Sequence, residues 1–238
     1  TLIYTVFNDH GAITRRVKVE NPTDKPFYID TIHSACVDLP GMDYEMLDLY
    51  GRWSKERALE RYPLHRGIQS IKSKRGSSSH NHNPFTALVK KGATEDYGEC
   101  YGFNLVYSSN FSIDVEVEAF ATSRLVMGIN PDGFSWELAP GEEFYSPEAV
   151  MVFTDKGIGE MSRIFHKLYS NNLVRGKWKK AKRPLLINNW EGTGMDFDHD
   201  KLVSFARHAK DMGIEMLVMD DGWFGKRDDD KSSLGDWF

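Results

Sequence analysis

From Leu2 to about Thr154 apolar residues recur mostly at every second position, and from Gly157 they recur at helical spacing. The cleanest alternation is "FSIDVEVEAFA", where Ile113, Val115, Val117 and Ala119 point one way and Asp114, Glu116 and Glu118 the other. Successive side chains leave opposite faces of a pleated backbone, so this period predicts a half-buried antiparallel strand. Shorter runs of the same kind are "LIYTVF", "ITRRVKVE", "FYIDTIHSACVDL", "YGFNLVYS", "RLVMGIN" and "AVMVFT". Between the strand runs, "NPTDKP", "YSSN" and "NPDG" supply Asn, Pro, Asp and Gly where the backbone must reverse. Many short strands with regular turns predict a β-sandwich, with Trp136 of "GFSWEL" in its core.

In "GEMSRIFHKLYSNNL", Met161, Ile164, Phe165 and Leu168 fall on one face of a helix. The basic run "VRGKWKKAKRP" follows and reads as a solvated connector. Then "LLINNW", "DHDKLVSFARHAKDM" and "EMLVMD" read as strand, helix and strand, one right-handed βαβ unit. Leu202, Phe205, Ala206, Ala209 and Met212 form the helix's buried stripe, Asp198 or Asp200 caps it, and Gly213 stops it. Both strands are nearly all apolar, as parallel strands covered on both faces should be. The predicted organisation is a β domain over 1–156, a helix and connector over 157–183, and the start of an α/β domain over 184–238.

Composition removes several functional classes. Lys and Arg number 30 against 35 Asp and Glu, for a net charge of −5, and the basic stripe of a nucleic-acid binder is missing. Cys36 and Cys100 are too few for a disulfide framework and lack metal-ligand spacing, so they read as reduced core thiols in a cytoplasmic protein. No apolar stretch approaches the roughly 20 residues of a membrane helix, so no membrane partner is expected. The opening "TLIYTVFNDHG" lacks a charged n-region and a cleavage site, begins without Met, and enters a strand pattern at once. Both ends read as cut. His80 and His82 in "KSKRGSSSHNHNPF" would share one strand face, but without a third ligand a hydrogen-bonded loop is the preferred reading.

Polar and aromatic groups gather where the two late strands finish. The first ends at Asn188, Asn189 and Trp190, the second at Asp220, Asp221, Gly222 and Trp223. Neighbouring parallel strands deliver these ends to one face, which carries the active site in α/β folds. A flat indole beside two carboxylate acceptors suits a sugar, with its apolar C–H face and its hydroxyls. Asp-Asp-Gly is equally good turn chemistry, and periodicity alone leaves both readings open. The later "RDDD" lacks the spacing of a calcium loop and reads as solvated. No nucleophile elbow, phosphate-cradling glycine loop or Cys–His pattern is present.

"RPLLINNWEGTGMDFDHDKL" followed by "GIEMLVMDDGWFGKRDDDKSSLGDWF" resembles the bacterial α-galactosidases of glycoside hydrolase family 36. "RGSSSHNHNPF", "GFNLVYSSNF", "GINPDGFSWELAPGE" and "PEAVMVFTDKGIGEMSRIFHKLY" resemble that family in the same order, so the likeness runs over essentially the whole chain. The resemblance implies an N-terminal antiparallel β-supersandwich, incomplete at its start, leading into a (β/α)8 TIM barrel. It implies that Trp190 lines the galactose subsite and that Asp220 and Asp221 bind galactose hydroxyls, chiefly O4 and O6. The implied reaction is retaining hydrolysis of terminal α-galactosides of the melibiose and raffinose type, with no metal or organic cofactor, in a homotetramer. The implied nucleophile is an aspartate in a Lys-Trp-Asp segment, but here the only Lys-Trp pair, Lys177-Trp178, is followed by Lys179. The nucleophile and the acid/base aspartate are therefore expected beyond Phe238, and no catalytic residue is assigned within the chain. Gly192 and Gly194 stand where family members often carry bulkier residues. Rival readings are an α-N-acetylgalactosaminidase or galactosyl-transferring relative on the same scaffold, and a non-catalytic carbohydrate-binding protein.

Overall fold

In the computed structural model, which describes residues 1–238, the chain forms two units, Thr1–Leu173 and Val174–Phe238. The first unit begins with strands β1 (Leu2–Phe7), β2 (Ala12–Glu20), β3 (Phe27–Ile29), β4 (His33–Pro40), β5 (Tyr44–Arg52), β6 (Lys55–Pro63) and β7 (Gly67–Lys72). It continues with β8 (His82–Lys90), β9 (Cys100–Val106), β10 (Phe111–Val117), β11 (Thr122–Ile129), β12 (Trp136–Leu138), β13 (Glu143–Tyr145), β14 (Glu148–Thr154) and helix α1 (Gly157–Leu168). Its strand ladders are antiparallel. The larger sheet follows the order β1-β2-β14-β9-β8-β5-β6 and the smaller one β4-β11-β10-β7.

The two sheets enclose one core, where Met46, Leu88 and Phe103 of the larger meet Ile113, Leu125 and Met127 of the smaller. Each such side chain contributes roughly 1.5–3 kcal/mol by leaving water. In β10 the alternation sends Ile113, Val115 and Val117 inward as expected, but Ala119 is exposed. The strand has ended at Val117, and the Glu118 carboxylate accepts the Thr122 amide at 3.1 Å to close a turn.

Three further expectations change. "FYIDTIHSACVDL" is not one strand: Ile29 and Ile32 are both buried with Ile129 and Leu138, and three-residue spacing on one side requires the chain to bend between β3 and β4. Trp136 is not core, being 49% exposed at the end of the β12–β3 ribbon, where Leu138 takes the buried place and the indole lies against Phe144. Cys36 is not a core thiol either, because β4 turns Ala35 and Leu39 inward and Cys36 outward. Cys100 is buried, and burial pushes its thiol up to about 11.

On its other face the larger sheet receives α1, whose Met161, Phe165 and Leu168 pack on Ala12, Leu47 and Val152. Gly102 of β9 makes this contact possible, since a Cβ there would lie 2.6 Å from the Phe165 ring and 2.7 Å from the Met161 sulfur. The helix starts at Gly157, whose φ of +83° and close approach to the backbone of Thr94, Glu95 and Tyr97 exclude a side chain. Its first amides donate to the carbonyls of Gly98, Thr94 and Glu95.

The second unit contains β15 (Leu186–Asn188), α2 (Trp190–Thr193), α3 (His199–Asp211) and β16 (Met216–Val218). β15 and β16 pair in parallel, with Leu186 opposite Met216 and Asn188 opposite Val218. Asp198 is the cap of α3, its carboxylate accepting the Lys201 amide at 2.8 Å, and Gly213 follows the helix at φ +83°. Of the predicted stripe Ala209 is buried, while Leu202, Phe205 and Ala206 are partly buried. Met212 is 72% exposed because the helix ends at Asp211 and Met212 already belongs to the turn.

Candidate functional site

Because β15 and β16 run parallel and stop at the same level, Asn188 and Asn189 come alongside Asp220. Asn189 is fully buried. Its side-chain oxygen accepts the Asp220 amide at 2.8 Å, and its Nδ2 donates to Thr193 Oγ1 at 2.8 Å. Asn188 Nδ2 donates to Asp220 Oδ2, while Asn188 Oδ1 accepts the Trp190 amide at 2.7 Å. Asp220 Oδ1 accepts the Asp221 amide at 2.7 Å. Two donors thus orient the Asp220 carboxylate, and each oxygen keeps acceptor capacity.

Asp221 is held differently. Its Oδ1 accepts Gly222 N at 2.8 Å and Arg227 Nε at 2.9 Å, and its Oδ2 accepts Arg227 Nη2 at 2.8 Å. This two-pronged bond to Arg227 holds the Asp221 carboxyl below the usual carboxylate range, against an opposing effect of burial. Arg227 is only 6% exposed and also donates to the Ser232 carbonyl at 2.7 Å. The run read as a solvated "RDDD" loop therefore begins with a buried arginine in a part-buried ion pair. Beside it, Trp223 stacks on Trp237 with centroids 6.3 Å apart, and buried Phe224 contacts the same indole.

Trp190 opens α2 directly after the strand end, its indole 38% exposed and its backbone tied to Asn188. The structure joins Asp220 to both asparagines and Asp221 to Arg227; between Trp190 and this network the shared element is Asn188. Fixed anionic acceptors beside exposed indoles can take up the hydroxyls and apolar face of a polyol ring. Sequence reasoning missed Arg227, since one arginine among acids carries no signature of burial. The histidines behave separately: His82 opens β8 against the Tyr50 ring, whereas His80 lies in the preceding loop, so they do not share a strand face. No group of three or more His, Cys, Asp or Glu residues is placed to hold a metal ion. A cavity of about 800 Å³ lies in the first unit between α1 and the larger sheet. Its lining, including Phe85, Met161, Phe165 and Tyr169, is mainly apolar and brings no carboxylates together, so the strand ends remain the candidate site.

An α/β unit that presents oriented carboxylate acceptors at its strand ends, following an antiparallel β domain along the chain, has the build of a glycoside hydrolase. The comparisons narrow this class: the chain belongs to glycosyl hydrolase family 36. Residues 1–139 match the family's N-terminal domain and residues 143–238 match the melibiase domain. The chain is 50% identical over 237 residues to the α-galactosidase AgaA of Geobacillus stearothermophilus, covering 100% of this chain and 32% of that protein. It is 44% identical to the α-galactosidase Mel36A of Lactobacillus acidophilus, covering 99% of this chain and 32% of that one. The crystal structure of AgaA superposes with a TM-score of 0.95 over 99% of this chain and 33% of its own. Variants of AgaA have been crystallised with stachyose and with raffinose. The chain thus spans about a third of the length of these relatives. Its antiparallel domain is followed by a helix and parallel strands that match the start of the family's catalytic domain.

Proposed function

We propose that this chain carries part of the galactose subsite of an α-galactosidase that hydrolyses terminal α-galactosides of the melibiose and raffinose type with retention. The observation that carries the reading is the Asp220 carboxylate, oriented by Asn188 and the Asp221 amide with capacity left on both oxygens. An ionised acceptor held in place exchanges water for sugar hydroxyls without reorganising, which is how such a site gains selectivity. Trp190 supplies the apolar plate, and Asp221 a second acceptor. The complexes of AgaA variants with raffinose and stachyose support the substrate class. The carboxylate pair that attacks C1 and protonates the leaving oxygen, about 5–5.5 Å apart in retaining enzymes, is proposed to lie beyond Phe238, in a longer cytoplasmic, tetrameric protein.

Removing an ionised acceptor from a bound hydroxyl costs roughly 1.5–3 kcal/mol. Asp220→Ala in the full-length protein is therefore expected to cut kcat/KM for an aryl α-galactoside at least tenfold while the melting temperature holds. Near-wild-type kinetics would reduce the aspartate pair to turn chemistry. The 238-residue chain by itself is expected to release no aglycone. Sustained release that vanishes on mutating Asp220 and Asp221 would mean that the catalytic pair lies within it.

A further inference from the structure

We infer that Arg227 is a positioning residue of this subsite: by occupying Asp221 from behind, it leaves that aspartate one open acceptor position and fixes its direction. The inference rests on the galactose-binding reading of the strand ends. A carboxylate oxygen offers two lone-pair directions. On Asp221, Oδ1 is filled by Gly222 N and Arg227 Nε, whereas Oδ2 receives only Arg227 Nη2. On Asp220, each oxygen receives a single donor, the Asp221 amide on Oδ1 and Asn188 Nδ2 on Oδ2. The open positions are therefore one on each oxygen of Asp220 and one on Oδ2 of Asp221. The two aspartates are not equivalent, although they are adjacent and chemically identical. Asp220 can serve a pair of hydroxyls, and Asp221 a single one.

Arg227 suits this task through shape as well as charge. A planar guanidinium engages both oxygens of one carboxylate and blocks rotation about its last bond, which an ammonium cannot do. The third prong, Nη1, donates to the Ser232 carbonyl, so the returning loop and the Asp221 carboxylate are indexed to one rigid group. The guanidinium also sits 5.8 Å from the centroid of the buried Phe224 ring. Burial on these sides holds the fork where it is.

The test compares full-length wild type, Arg227→Lys and Arg227→Ala in hydrolysis of an aryl α-galactoside, with galactose and its monodeoxy analogues as competitors. Both variants should raise KM at least tenfold with kcat within threefold, the pattern of lost uniform binding. Wild type should reject one deoxygalactose at least tenfold through Asp221, and that rejection should fall to within threefold in Arg227→Lys. Added guanidinium chloride should recover at least a third of the lost affinity in Arg227→Ala while leaving wild type unchanged. A folded variant with wild-type KM overturns the proposal, as does an equal loss toward every analogue with rejection intact. Failure of both variants to fold would confine the pair to a structural role and overturn it too. If wild type itself neither hydrolyses the galactoside nor is inhibited by galactose, the galactose reading has failed, and that result is distinct from the others.

Discussion

Replacing Gly102 by alanine sets two physical effects of opposite sign against each other. Gly102 lies in β9 and its backbone is outside the positive-φ region, so local preference alone favours alanine by about 0.4–1 kcal/mol through the unfolded chain. The packing opposes this: the new Cβ would stand 2.6 Å from the Phe165 ring, 2.7 Å from the Met161 sulfur and 3.0 Å from the Met161 side-chain carbon. The obstructing atoms are side chains, but Phe165 is itself buried and pinned between the Phe85 and Tyr169 rings, 5.7 Å from each. Forcing a methyl into such a contact costs roughly 1–3 kcal/mol. The balance is a destabilisation of up to about 2.6 kcal/mol, centred on about 1.3 kcal/mol, or roughly 3–5 °C in melting temperature at this chain length for the central value. Thermal and urea unfolding of the purified chain would read the sign directly. In a Phe165→Leu background the obstruction is smaller, so the cost of Gly102→Ala should shrink by at least about 0.5 kcal/mol, a coupling expected of touching residues. A stabilised Gly102→Ala, or an undiminished cost in the Phe165→Leu background, would refute the close-approach account of how α1 seats on the sheet.

Two further outcomes follow from the second unit and from Trp136. Trp190→Ala should weaken galactose inhibition of the full-length protein, whereas Trp136→Ala, half exposed on its ribbon, should leave inhibition unchanged and lower the melting temperature only slightly; reversed phenotypes would overturn both assignments. Asp221 is held below its ordinary 3.8 by the bond to Arg227, so its contribution to stability is present above about pH 4 and lost as pH falls through the depressed value. The difference in melting temperature between wild type and Asp221→Asn should accordingly be flat from pH 5 to about 8 and shrink under stronger acid; a difference that grows on acidification contradicts the pairing.

Alternation made β10 and β11 legible because one face of each is buried and the other largely reaches water. β14, packed between the inter-sheet core and α1, is legible instead as a short apolar run. Alternation failed at β6, "KERALERYP", an edge strand exposed along most of its length, where charge spacing reads no differently from a helix surface. Only pairing with β5, Asp48 opposite Glu60 and Leu49 opposite Leu59, makes it a strand. The strand-end site was legible in part for the same reason that β15 and β16 were. An apolar run that stops at carboxylates or amides announces its own end, and parallel pairing then brings Asn188 and Asp220 together. Arg227 was not legible, because its burial depends on Phe224 and on the chain returning at Ser232, contacts that no local pattern encodes.

The unlike settings of the two cysteines make the native sequence a ready single-label reagent. Cys36 faces out from β4, while Cys100 is sealed beneath α1 with its thiol pushed up to about 11, so a maleimide dye at neutral pH should attach at one place without mutagenesis. Dye uptake at the second thiol would then begin only when α1 lifts from the larger sheet, which makes alkylation stoichiometry a clock for that opening.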